Sequence, residues 1–208
     1  LILFAYLFGL ARFFTTSAAL DTGSAFEGMG SARELTFALL SEPALFFAYL
    51  VIAKASGSLS LNEMFTGFAD VFSPLTIAPL VLVVLGLFIV LLAETCRIPV
   101  DDPTTHLELT MIHEVMVLDH SGPLFGMILY ASAMKLFVLG AFLLHVAAPF
   151  RTGNLWIDWS IFLGEMLLLS VAIGVLESVT GRLRMRRVPY LLVSALILCG
   201  SSFLLLVR

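Results

Sequence analysis

Charge is what this sequence has least of. Of 208 residues, 12% are Asp, Glu, Lys or Arg, 60% are hydrophobic, and the mean hydropathy is +1.06. A water-soluble domain is about a quarter charged, and this chain has too little polar surface to coat a globule of its size in water. Disorder, a secreted disulfide scaffold and a nucleic-acid-binding domain are all excluded, which leaves the lipid bilayer as solvent. Cysteine is as scarce. Cys96 and Cys199 are the only two, and no CxxC or His/Cys spacing suits zinc or an iron–sulfur cluster. A signal peptide is missing too: the chain opens Leu1-Ile2-Leu3-Phe4 with no basic region and no small-residue cleavage site. It reads as beginning inside a hydrophobic span, so a truncated N-terminus is expected.

The apolar runs are continuous rather than alternating, which argues against a β-barrel. A span needs about 20 apolar residues, and six segments qualify: 1–20, 34–54, 75–94, 123–149, 158–180 and 188–207. The expectation is an all-α integral membrane protein with a single membrane domain over residues 1–208. Gly, Ser and Asn break the short loops, whereas residues 95–122 form a longer and more charged connection. Orientation follows from basic residues in the loops. Gly181–Arg187 holds four arginines in seven residues, which places it on the cytoplasmic side. Alternation then puts loops 21–33 and 95–122 on that side as well.

Ionisable groups inside spans cost several kcal/mol, roughly 3 on insertion scales, and by default mark ion pathways. Arg12, Glu42, Lys135, His145, Glu165 and Glu177 all fall inside the spans. A set of this size suggests a proton route; the alternative is buried pairs that fix helix packing. Glu42 stands out because Ser41-Glu42-Pro43 lies mid-span, where proline frees a carbonyl and kinks or breaks the helix. A discontinuous helix is therefore expected there. Glu165 and Glu177 are twelve residues apart, about 18 Å along one helix. Glu177 also reads as an interfacial partner of Arg182 or Arg184.

The loop 95–122 is the most informative segment. Asp102-Pro103 has the form of a helix start, and Thr105 with Glu108 fits a capping box. A helix over about 103–120 would carry Glu108, Glu114 and Asp119, with His106, His113 and His120 in one stripe. His113-Glu114 begins like a zinc-protease motif, but Val117 stands where the second histidine belongs, and no metal site is expected. A docking or proton-handling face is the better reading.

These residues carry a resemblance. Ala93-Glu94-Thr95-Cys96-Arg97-Ile98-Pro99-Val100-Asp101-Asp102-Pro103 resembles the loop signature of the complex I membrane subunit that forms the quinone cavity, the NADH dehydrogenase subunit 1 family. The continuation from Thr104 to Glu114 is closer to the homologous subunit of group 4 membrane-bound [NiFe] hydrogenases, the formate hydrogenlyase and hydrogenase-4 branch. Asp21-Thr22-Gly23-x-Ala25-Phe26-x-Gly28-Met29-Gly30-Ser31-x-Arg33-Glu34 and Arg184-x-x-x-Val188-Pro189 are similar to the same branch. That family has about eight spans, so two would be missing at the N-terminus. Two departures stand out: Asp119-His120-Ser121-Gly122 where the branch often shows Glu-Tyr-Ser-Gly, and Met116 at a further acidic position of the respiratory family.

The resemblance implies a coupling and anchor subunit with no redox centre of its own. The nickel–iron centre and iron–sulfur clusters would sit in soluble partners: the hydrogenase large and small subunits and a ferredoxin-like subunit. Antiporter-like membrane subunits would be further partners in a prokaryotic cytoplasmic membrane. By motif, Glu94, Arg97, Asp101, Asp102, Glu108 and Glu114 would form the arm-facing cavity. Glu42 would sit in the neighbouring span, and Asp21 and Arg33 would flank its loop. Lys135, Glu165 and Glu177, read as charges inside spans rather than by motif, would extend the proton pathway. The competing readings are the quinone-chamber subunit of a NADH dehydrogenase-like complex, a stand-alone secondary transporter, and a passive anchor. No internal repeat favours the transporter.

Overall fold

The computed structural model describes residues 1–67, 74–101, 112–149, 152–181 and 183–207. Among them no strand occurs, as a bilayer requires: each spanning segment must satisfy its own backbone hydrogen bonds. The helices are α1 (Ile2–Asp21), α2 (Ala25–Ser56), the short α3 (Leu61–Gly67), α4 (Pro74–Glu94), α5 (Gly122–Ala147), α6 (Leu155–Val179) and α7 (Val188–Val207). Tight 3₁₀ turns occur at Glu114–Val117 and Met185–Arg187. Six helices are long and apolar enough to cross a membrane, one for each expected span. The chain is an all-α, multi-pass membrane protein.

Helices α2, α4 and α7 make the core. Ala44, Ala48 and Ile52 of α2 meet Val83 and Val90 of α4 and Ala195 and Cys199 of α7, all fully buried. Small residues let these backbones approach, which is how helices pack where lipid is as apolar as leucine. Gly86 shows how closely. A Cβ there would collide with Cys199 Sγ and come within 3.3 Å of the Ala195 carbonyl oxygen. Helix α5 adds Leu139, Phe142 and Leu143 to the same core. Helices α1 and α6 lie at the edge, with α1 burying only Thr16 and Ala19 and α6 only Leu169 and Ile173.

Three expectations need correction. Residues 25–33, read as loop, are the first turns of α2; packing of Glu27, Gly30 and Ser31 into the protein outweighs the low helix propensity of the glycines. The helix expected to be discontinuous at Pro43 runs unbroken from Ala25 to Ser56, since neighbouring groups in a bundle can satisfy the carbonyl that a proline frees. The helix expected over 103–120 falls partly outside the described residues, at 102–111. Its described remainder, 112–120, is a turn, a 3₁₀ turn and another turn rather than α-helix. Side-chain and backbone contacts set that shape, as described below.

Contacts between loops show which ends of the bundle coincide. Leu183 N–H donates to the Pro99 carbonyl at 3.0 Å, and Asp119 N–H donates to Glu27 at 2.9 Å. The turn after α4, the segment before α5, the start of α2 and the turn before α7 therefore share one end.

Because the α4–α7 contact has no spare room at Gly86, Gly86→Ala should cost about 1–3 kcal/mol of stability by overpacking. Adding Cys199→Ala should return part of that loss. Thermal unfolding of the single and double variants in nanodiscs checks this, and equal losses in both backgrounds would contradict it.

Candidate functional site, a buried ionic cluster between two cavities

Arg12 lies midway along α1, and its guanidinium reaches three carboxylates. It bonds directly to Glu42 of α2 and to Glu94 at the end of α4, and its Nε stands 3.5 Å from Glu34. Glu94 is the centre of the set. Its side chain is 3% exposed. One oxygen takes the Arg12 contact and the Ser41 hydroxyl at 2.7 Å, and the other takes Lys135 Nζ at 2.7 Å. Two cations thus face three carboxylates, so the set carries one excess negative charge and becomes neutral when it holds one proton. Removing one member of such a buried set costs about 3–5 kcal/mol, because its partner is left buried and uncompensated.

Lys135 lies thirteen residues into α5, about 20 Å along the axis from Gly122. Glu94 pairs with it while ending α4, so the segment between α4 and α5 must travel that distance along the bundle. It does so as a wall. Val115 and Met116 are fully buried, and a Cβ on Gly30 would stand 2.7 Å from Val115 and 3.0 Å from Met116. Glycine at position 30 is what lets this wall seat against α2. Asp101 fixes its beginning, accepting the backbone N–H groups of Ile112 at 2.9 Å and His113 at 3.2 Å.

Behind the wall is a cavity of about 560 Å³, lined chiefly by apolar groups of α1 and α5, including Phe8, Phe14 and Met134. Arg12, Glu34, Glu94 and Lys135 supply its charged lining, with His113 and His120 on the wall. A second cavity of about 190 Å³ lies between α1 and α2, lined by Glu42 and Tyr49 among others. Phe8, Arg12 and Glu94 border both cavities, so the ionic cluster is the partition between them. Tyr49, Phe4 and Phe142 stack edge-on or tilted, with centroids 5.4–6.1 Å apart, beside the second cavity.

Outside the spans, burial pushes the Cys96 thiol well above its usual range, and the Glu34 carboxylate adds to this while Lys135 opposes it. A thiol so held is no nucleophile at neutral pH. Burial also lowers the His113 imidazole below its ordinary 6.5, against the opposing pull of Glu34 and Asp101.

The structure brings together Glu42, Glu94 and Lys135 of the expected site residues. Asp101 is near but acts as a clamp on the backbone, and Arg97 pairs with Glu177 at 3.6 Å. Glu177 was expected to serve the pathway or to meet Arg182 or Arg184; its described partner is Arg97. Arg33 contacts Met29 Sδ, and Asp21 is exposed at the end of α1. Glu114 lies in the 3₁₀ turn of the wall. Glu165 sits on α6 outside the cluster. Asp102 and Glu108 lie outside the described residues. Among the described residues, no three His, Cys, Asp or Glu side chains are grouped to hold a metal ion. Arg12 was noted as a charge in a span and His120 as part of a histidine stripe, neither as a site residue, and Glu34, Ser41 and Glu27 were given no site role. Only contacts from distant segments reveal them.

A multi-pass helical protein with a charged partition between two half-open cavities defines the class. Within it, the chain belongs to the NADH dehydrogenase family, whose model matches residues 1–208. It is 30% identical over 181 residues to formate hydrogenlyase subunit 4 of Escherichia coli (strain K12), covering 87% of this chain and 56% of that protein. To hydrogenase-4 component C of the same organism it is 33% identical over 151 residues, 72% of this chain and 46% of that one. The chain spans about half the length of the curated relatives it matches.

The His113 shift sets a pH dependence. The folded chain binds this proton less tightly than the unfolded chain, so the contribution of His113 is complete above pH 6.5 and is lost as the pH falls below it. The thermal midpoint in nanodiscs should therefore drop between about pH 7.5 and about pH 5.5, and His113→Gln should remove part of that drop. An unchanged drop in the variant would contradict the assignment.

Proposed function

We propose that this chain is a membrane-embedded coupling and anchor subunit of a membrane-bound [NiFe] hydrogenase complex of the formate hydrogenlyase type, linking a soluble redox arm to proton translocation. The observation that carries this reading is Glu94, buried between Arg12 and Lys135 in the partition that separates the two cavities. A set with one excess negative charge has room for one proton, which it could take up and release as the field around it changes. The chain supplies no redox centre; nickel–iron and iron–sulfur chemistry belongs to the large, small and ferredoxin-like soluble partners. Those partners dock at the end that carries the turn after α4, the start of α2 and the arginine-rich turn before α7, which is the cytoplasmic end by its basic residues. By their match to the loop signature, Asp102 and Glu108 would serve the same acidic route.

Glu42 supports a membrane partner. Its side chain is 43% exposed in the middle of α2, where lipid is a poor environment for a carboxylate. An antiporter-like subunit against that face would cover it and receive the proton. Glu165, on the outer helix α6, would serve a more peripheral branch of the same pathway.

A second reading is the quinone-chamber subunit of a respiratory relative, favoured by the size and apolar lining of the larger cavity. One preparation separates the two. Purified through a tag on this chain, the complex should contain nickel and evolve hydrogen from reduced viologen. Glu94→Gln or Glu108→Gln should keep that activity and abolish proton translocation. Normal translocation in both variants contradicts the coupling role. Iron and flavin with quinone reductase activity, and no nickel, would move the chain to the respiratory relative.

A further inference from the structure

Among the described residues, Glu27 is the most deeply buried charged side chain, fully enclosed beneath the wall segment. Its Oε1 accepts the backbone N–H of Asp119 at 2.9 Å. Its Oε2 is buried with no hydrogen-bond partner among those residues. His120 Nδ1 stands 3.8 Å from Oε1 and is buried without a partner as well. That separation is beyond hydrogen-bond reach, yet a small rotation of either side chain would close it. A carboxylate oxygen and a ring nitrogen stand near one another, and one proton between them would satisfy both. An unpaired buried carboxylate is costly, and so is a buried imidazole nitrogen with nothing to bond.

We propose that Glu27 and His120 form a proton-binding site in the wall of the larger cavity, holding one proton between carboxylate and imidazole. With the proton bound, Nδ1–H donates to the carboxylate and the pair has no net charge. Without it, the Glu27 charge is held by the Asp119 N–H alone.

The surrounding charges are already engaged elsewhere. Arg12, Glu34, Glu94 and Lys135 share the cavity with His120 but pair with one another. Cys96 and His113 also line it. On α2, Arg33 donates to Met29; Asp21 of α1 and Asp119 are exposed; Glu114 lies within the wall itself. Glu27 and His120 are left to each other.

The site has a mechanical consequence. Asp101 clamps the beginning of the segment and Glu27 its end, so proton binding at Glu27 tightens one of two clamps on the cavity wall. The two cavities and their ionic partition are not required for this, and the inference stands apart from the hydrogenase reading.

Hydrogen exchange on the purified complex in nanodiscs tests it, with amide rates of residues 112–121 corrected for the chemical effect of pH. In a parent protein carrying His113→Gln, which removes the opposing loss of stability as the pH falls, the segment should exchange about tenfold more slowly near pH 5.5 than near pH 8, the effect of one hydrogen bond to a charged group. Glu27→Gln and His120→Gln should each abolish the difference. If Glu27→Gln does not assemble, His120→Gln decides alone, because the His120 side chain makes no described hydrogen bond whose loss would unfold the chain. A pH dependence of the same size in His120→Gln, or none in the parent protein, overturns the proposal.

Discussion

The contact on which the interior depends is the one between Glu94 and its two cations. A carboxylate 3% exposed at the end of a hydrophobic helix is tenable only with counter-charges and hydrogen bonds on both oxygens, and Arg12, Lys135 and Ser41 supply them. This fixes more than one side chain. It ties α1 and α5, which bury little apolar surface against one another, to the compact trio of α2, α4 and α7. It also sets the depth at which α4 stops, and hence how far the following segment must travel to reach α5.

That path accounts for the cavity. Its wall is held at one end by Asp101 and at the other by Glu27, each accepting backbone N–H groups, while Gly30 gives the buried Val115 and Met116 room against α2. Carboxylates usually serve such a fold at its surface; here they stand in for the hydrogen bonds that a helix would have provided. The larger cavity then opens onto the charged partition from one side, and Glu42 reaches it from the other. Five ionisable side chains of a charge-poor protein, Arg12, Glu34, Glu42, Glu94 and Lys135, thus meet at one partition.

How much of this was legible differs from element to element. The six spans were plain because bilayer thickness imposes a length on any apolar run. Glu42 and Lys135 were legible as charges out of place, and Glu94 through the loop signature it belongs to. Arg12 as their hub was not, since periodicity within α1 says nothing of what faces it from α2, α4 and α5. Residues 25–33 looked like a loop because three of them are polar and two are glycine; tertiary packing made them helix. Glu27 hid inside that stretch, and its meaning comes from Asp119 and His120, about ninety positions away. The histidine spacing suggested one helical stripe, but the wall between His113 and His120 is not α-helix.

The account stands on the Lys135–Glu94 pair being a mutually dependent buried contact. A double-mutant cycle measures this directly, with Lys135→Met, Glu94→Gln and the combined variant unfolded thermally in nanodiscs. Each single change strands a buried charge that the double change removes. The predicted coupling energy is about 1–3 kcal/mol, with the double variant more stable than the sum of the single losses. Strictly additive losses would show that the two residues do not hold one another, and the partition between the cavities would lose its physical basis.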